Sequence, residues 1–195
     1  MSDPAPVTIE ALGAAGRGVA VEFVRCGDRY AHRVLVITPG GAVPLLESVE
    51  GTAADDWPPS PAWRQLSVEA RDGGASIVFL VGMSGRSHWS ASAAATAGPR
   101  PEVIFDVACR IQSIAGAIGS RYRAQGQVEA AGAFVRILDP ATAAGLAIEP
   151  AGDAALATRV SSDGERIDIG PKREAAAPPA TVCWGYRLTP LAPAR

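Results

Sequence analysis

The sequence predicts an all-β fold, an antiparallel β-sandwich or barrel-like domain with short single-turn helices. Three observations carry this reading. Apolar residues alternate at period two in segment after segment, turn residues punctuate those segments, and no window sustains the i, i+3, i+4, i+7 spacing of an amphipathic helix over three turns. The first pair is "GVAVEFVRC", with Val19, Val21 and Phe23 on one side, and "YAHRVLVIT", joined through a Gly-Asp turn in "CGDR". A turn at "PGG", Pro39 to Gly41, leads into "AVPLLESVEG", so three strands follow one another as a meander. "RQLSVEAR" sets Leu66, Val68 and Ala70 against Gln65, Ser67, Glu69 and Arg71, and "DGG" turns it into "ASIVFLVG". That run is apolar on both faces and predicts a central strand covered on each side.

"GRSHWSASAAA" then places Arg86, His88, Ser90 and Ser92 on one face and Ser87, Trp89, Ala91 and Ala93 on the other. In "EVIFDVACRIQ" the apolar stripe is Val103, Phe105, Val107, Cys109 and Ile111, opposite Asp106, Arg110 and Gln112. A Gly-rich corner, "SIAGAIG", precedes "SRYRAQGQ" and "VEAAGAFVRIL", which complete a core module of about residues 18–138. Residues 150–190 predict a hairpin around "SSDG" and a last strand, "TVCWGYRLTP", packed onto that module through Val182, Trp184, Tyr186 and Leu188. "SPAWRQ", with Ser60 as N-cap before Pro61, and "DPATAAG", with Asp139 before Pro140, predict the two single helical turns.

The 195 residues fit a single β-rich domain, residues 1–195, long enough to bury a substantial core. A net charge of −2 and a pI near 5.7 supply no global field to attract nucleic acid or anionic lipid, so neither is expected as a partner. No apolar run approaches the roughly 20 residues that span a bilayer, and the N-terminus has neither a basic nor an apolar leader region; the expectation is a cytoplasmic protein. Three cysteines, Cys26, Cys109 and Cys183, lack CxxC spacing and read as buried free thiols. His32 and His88 do not stand at ligand spacing with them, so no metal and no cofactor is expected.

If the apolar stripes of "SHWSASAAA" and "EVIFDVACRI" face one core, then Arg86, His88, Asp106 and Arg110 share the opposite face. Small residues such as Ser90 and Ala108 would leave a shallow concavity there, suited to a polyol or a carboxylate. The plainer reading is the solvated outer face of a sheet. Arg121 and Arg123 in "GSRYR" read either as added charge from a neighbouring strand or as protection of an edge strand. "DDWPPSPAW" reads as a rigid loop whose Trp57 and Trp63 form an aromatic lip for a ligand, or as a cover over the sheet. The expected role is therefore a non-catalytic binding module for a small polar ligand or a protein partner. Two alternatives stand beside it: a carbohydrate-active enzyme of mutarotase or epimerase type, drawing on His32, His88, Glu47, Glu50 and Asp106, and a structural subunit that forms a homo-oligomer through sheet edges. "GMSG" falls one residue short of a nucleophile elbow, and "GAAGRG" lacks dinucleotide-binding spacing.

The strings "LLESVEG", "WPPSP", "VGMSGRSHWS", "IFDVACRIQ" and "GSRYR" together resemble an uncharacterised family of β-rich bacterial proteins of planctomycete type. The resemblance covers roughly residues 28 to 123 and implies that these strings belong to one module. It implies no activity, ligand or catalytic residue.

Overall fold

A computed structural model describes residues 4–13, 16–70, 75–112, 116–173 and 177–192. Its strands are β1 (Val7–Leu12), β2 (Gly18–Cys26), β3 (Arg29–Thr38), β4 (Gly41–Ser48), β5 (Trp63–Ala70), β6 (Ser76–Ser84), β7 (Ser87–Thr96) and β8 (Glu102–Ile111). These are followed by β9 (Ser120–Ala124), β10 (Gln127–Ala131), β11 (Phe134–Asp139), β12 (Ala144–Pro150), β13 (Thr158–Ser162), β14 (Arg166–Pro171) and β15 (Ala180–Pro190). A 7-stranded sheet runs β1-β2-β3-β4-β9-β14-β13 and an 8-stranded sheet runs β10-β11-β12-β15-β8-β7-β6-β5. All pairings are antiparallel, and neither sheet closes on itself. The architecture is a sandwich, which removes the barrel alternative.

The alternation that predicts the strands also builds the core. On β8, Val103, Phe105, Val107, Cys109 and Ile111 are buried, and on β7 Trp89, Ala91, Ala93 and Ala95 join them. From the facing sheet, β2 contributes Val19, Val21 and Phe23, and β2 packs across β8 and β15. Aromatic rings fill the middle: Phe105 lies flat on Tyr186 at 5.0 Å between centroids, and Trp89 meets Trp184 edge-on at 6.0 Å. Where alternation breaks, a bulge explains it. Between β3 and β4, Val34 opposes Leu46 and Leu35 opposes Pro44, so Leu45 is the extra residue and both leucines reach the core.

Several expectations need correction. β6 is not covered on both sides: it is second from the sheet edge, with Val78 and Leu80 inside but Val81 45% and Met83 40% exposed on the outer face. β15 is not laid onto a finished module; it sits between β8 and β12 in the middle of the larger sheet. β9 is neither an edge nor a neighbour of β7 and β8, because it lies inside the other sheet, where Arg121 pairs with Asp168. The two expected helical turns are absent. The Ser60 hydroxyl donates to the carbonyl of Arg121 at 3.1 Å and accepts from its N–H at 3.0 Å, so it is not free to cap, and Trp63 opens β5. Asp139 ends β11 and folds back as a turn, accepting from the Ala141 N–H and the Thr142 hydroxyl. The one helical turn among the described residues is a 3-10 turn at Ala155–Ala157. The expected "DGG" turn lies outside the described residues, as do residues 113–115 of the Gly-rich corner.

Candidate functional site

The outer face of the 8-stranded sheet carries a trough. Register sets its floor: His88 opposes Arg110, Ser90 opposes Ala108 and Ser92 opposes Asp106 across β7 and β8. In the middle of this floor Ser90 and Ala108 are small, so the surface dips. Larger side chains of β6, Phe79, Val81 and Met83, rise along one side. At one end the dip widens into a groove of about 590 Å³ lined by Arg64, Val81, Met83, His88, Arg110 and Thr181, among others. At the other end it continues into a second groove of about 500 Å³ that includes Phe79, Ser92, Asp106, Asp153 and Cys183. Ser90 and Ala108 belong to both.

Arg64 reaches the first groove because of a second bulge. Trp63 opposes Gly82 and Gln65 opposes Val81, which leaves Arg64 as the unpaired extra residue of β5. Its backbone carbonyl is not wasted; it accepts from Arg25 Nη1 at 3.0 Å. Gly82 makes the bulge feasible, since a Cβ there would fall 2.0 Å from the Ala62 carbonyl oxygen. Among the described residues, Arg64 and Arg110 have no carboxylate partner. Two guanidiniums outside any ion pair and an imidazole thus share one groove with exposed apolar walls, and Arg64, behind Arg29, also helps to lower the carboxyl of Asp28. That combination favours an organic anion, because a planar guanidinium binds a carboxylate through two parallel hydrogen bonds.

The opposite end is acidic. Asp106 lies beside Gly185 and Gly152, which lack the side chains that would displace its carboxylate: a Cβ at Gly152 would stand 2.0 Å from Asp106 Oδ1. Partial desolvation in this cradle, and next the charge of Asp153, hold the Asp106 carboxyl above its ordinary range. Cys183 is exposed in the same groove.

A second polar cluster lies between the sheets. His32, 6% exposed, shares a hydrogen bond between Nε2 and the Tyr122 hydroxyl at 2.7 Å, and Tyr122 bonds in turn to the Tyr186 hydroxyl. Burial lowers the His32 pKa to about 4, so the ring is neutral. Nearby, burial raises the Glu50 carboxyl to about 7 against weaker pulls from Ser48 and Arg29. Neither Glu50 oxygen has a hydrogen-bond partner among the described residues.

These placements sort the expected site residues. His88 and Arg110 come together, as the shared face implied. Asp106 is on that face but two residue pairs further along, beyond contact with His88. Arg86 occupies the turn between β6 and β7 instead of the strand face. Trp63 is 2% exposed in the core, and Trp57 packs on Trp89 at 5.2 Å and donates its Nε1–H to the Ala117 carbonyl at 3.0 Å. Both tryptophans therefore face the interior, and "WPPSPAW" serves as a cover. The groups weighed for epimerase chemistry do not form one site: His32 and Glu50 are in the interior cluster, His88 and Asp106 lie on the outer face, and Glu47 is exposed on β4 beside Gln125. Of the cysteines, only Cys109 is buried, its thiol pushed up to about 12. Arg64 escaped the sequence reading. Its one signal was a parity break, since inward-facing Trp63 and Leu66 are three residues apart where strand alternation requires an even number. No protein-family model matches the chain, and no curated protein matches it. Among the described residues no cluster of three metal-ligating side chains occurs, and no helix is long and apolar enough to cross a membrane.

Proposed function

We propose that this protein is a binding module whose ligand is a small organic carboxylate, held in the groove between β5 and β15. The observation that carries the reading is the convergence of Arg64, His88 and Arg110 in one groove whose lining holds no carboxylate. Arg110 and Arg64 supply the forked donors, His88 and Ser90 add single hydrogen bonds, and Val81 and Met83 cover the apolar part of the ligand. The groove's volume, about 590 Å³, lies within the roughly 300–1,000 Å³ typical of small-molecule sites.

Titration with aliphatic and aromatic monocarboxylates, followed by thermal shift and calorimetry, tests this. Arg110→Gln is expected to weaken binding about 10- to 100-fold, the worth of a charge-assisted hydrogen-bonded pair, while leaving unfolding unchanged. If no carboxylate binds the wild type, or if Arg110→Gln binds as well as wild type, the reading is wrong.

A further inference from the structure

The trough has two ends of opposite charge. Arg110 and Asp106 stand four residues apart on β8, a separation of about 13 Å at the strand rise of roughly 3.3 Å per residue. The floor between them is the small pair Ser90 and Ala108, common to both grooves, so one elongated ligand can lie across the dip without an obstacle. Neither end is closed by an ion pair: among the described residues Asp106 and Asp153 make none, as is true of Arg64 and Arg110. Asp106 and Asp153 repel each other across the second groove, so a cation placed there relieves a repulsion as well as gaining an attraction.

We propose that the occupant of the whole trough is an extended peptide segment carrying an acidic side chain at the Arg64–His88–Arg110 end and a basic side chain four residues away at Asp106 and Asp153. This rests on the carboxylate reading above and names the ligand class. The match is one of spacing. In an extended peptide, side chains i and i+4 project from one face at the same period as those of β8, so a single segment can meet both charged ends at once. A free amino acid cannot, because its two charges are only a few ångströms apart. The intervening residue i+2 must be small, since it lies over Ser90 and Ala108.

The test uses acetyl-Glu-Ser-Ala-Ser-Lys-amide and its reversed sequence, each with versions in which Glu or Lys is replaced by Gln, titrated calorimetrically into wild type, Arg110→Gln and Asp106→Asn. At least one orientation with both charges is expected to bind about 10-fold or more tighter than either single-charge version. Asp106→Asn should abolish the advantage of Lys, and Arg110→Gln that of Glu. Bound peptide should also slow alkylation of Cys183 by iodoacetamide while leaving Cys26, exposed at the end of β2 in the other sheet, unaffected. Should the Gln-for-Lys peptide bind equally well and Asp106→Asn change nothing, the peptide proposal fails and the carboxylate reading survives. Binding of simple carboxylates but of no peptide has the same meaning. If neither binds, both fall.

Discussion

At the scale of single residues, the interior holds two titratable groups whose burial pulls stability in opposite directions. Glu50 has a folded pKa raised to about 7. The fold therefore binds its proton more tightly than the unfolded chain does, and stability declines as pH rises from the ordinary carboxyl value toward 7. His32 has a folded pKa lowered to about 4 from 6.5, so its contribution is whole above 6.5 and is lost as pH falls toward 4. Between these limits the two partly cancel. Glu50→Gln separates them. Urea unfolding at a series of pH values should show the variant gaining on wild type from pH 4.5 to 7, by at most about 3 kcal/mol. The variant, in which Glu50 no longer offsets the His32 effect, should lose stability on acidification. A wild type and variant with parallel pH profiles would place the Glu50 carboxyl in water. His32 stood in the sequence only as one of the groups weighed for epimerase chemistry, and its interior place at a hydrogen bond was not legible, because 90 residues separate it from its partner Tyr122.

At the scale of elements, the bulge in β5 decides what the trough can hold. It turns Arg64 out of the strand ladder, and it depends on Gly82, where the Ala62 carbonyl approaches too closely for any side chain. Gly82→Ala is expected to cost about 1–3 kcal/mol of stability by overpacking against backbone that has little room to move. It should weaken carboxylate binding as well, because shifting the bulge shifts Arg64. Denaturant unfolding and calorimetry on the same variant check both; a stable variant with unaltered affinity would show that the bulge does not position the arginine. Most strands were legible from alternation, since period two is local and strong in β2, β7, β8 and β15. β6 misled. Its outer residues Phe79, Val81 and Met83 are as apolar as a covered face would require, yet they form the side of an open trough. The two supposed helical turns failed for a related reason: Ser60 and Asp139 use their oxygens for contacts and turns that local pattern cannot distinguish from caps.

At the scale of the molecule, the strand order binds the chain's last strand into the middle of the 8-stranded sheet. β15 pairs with β8 on one side and β12 on the other, and carries Trp184, Tyr186 and Leu188 into the core. A chain ending before Ala180 would leave two interior strands as open edges and remove those aromatics, so it is expected to show no cooperative unfolding transition. A truncated chain that unfolds cooperatively would mean that β15 is the late addition its sequence position suggested. That centrality was not legible beforehand, because strand order depends on long-range pairing and alternation reports only which face is buried. The same order places the trough on the outer face of four adjacent strands with β15 beside them, making it a feature of the assembled sheet and not of any one segment. The most direct test of its role is amide-resolved NMR during titration with a simple carboxylate such as hexanoate. Shifts confined to Arg64, Met83, His88, Ser90, Ala108, Arg110 and their immediate neighbours are the expected result. No shifts at saturating carboxylate, or shifts centred on the 7-stranded sheet, would contradict the account.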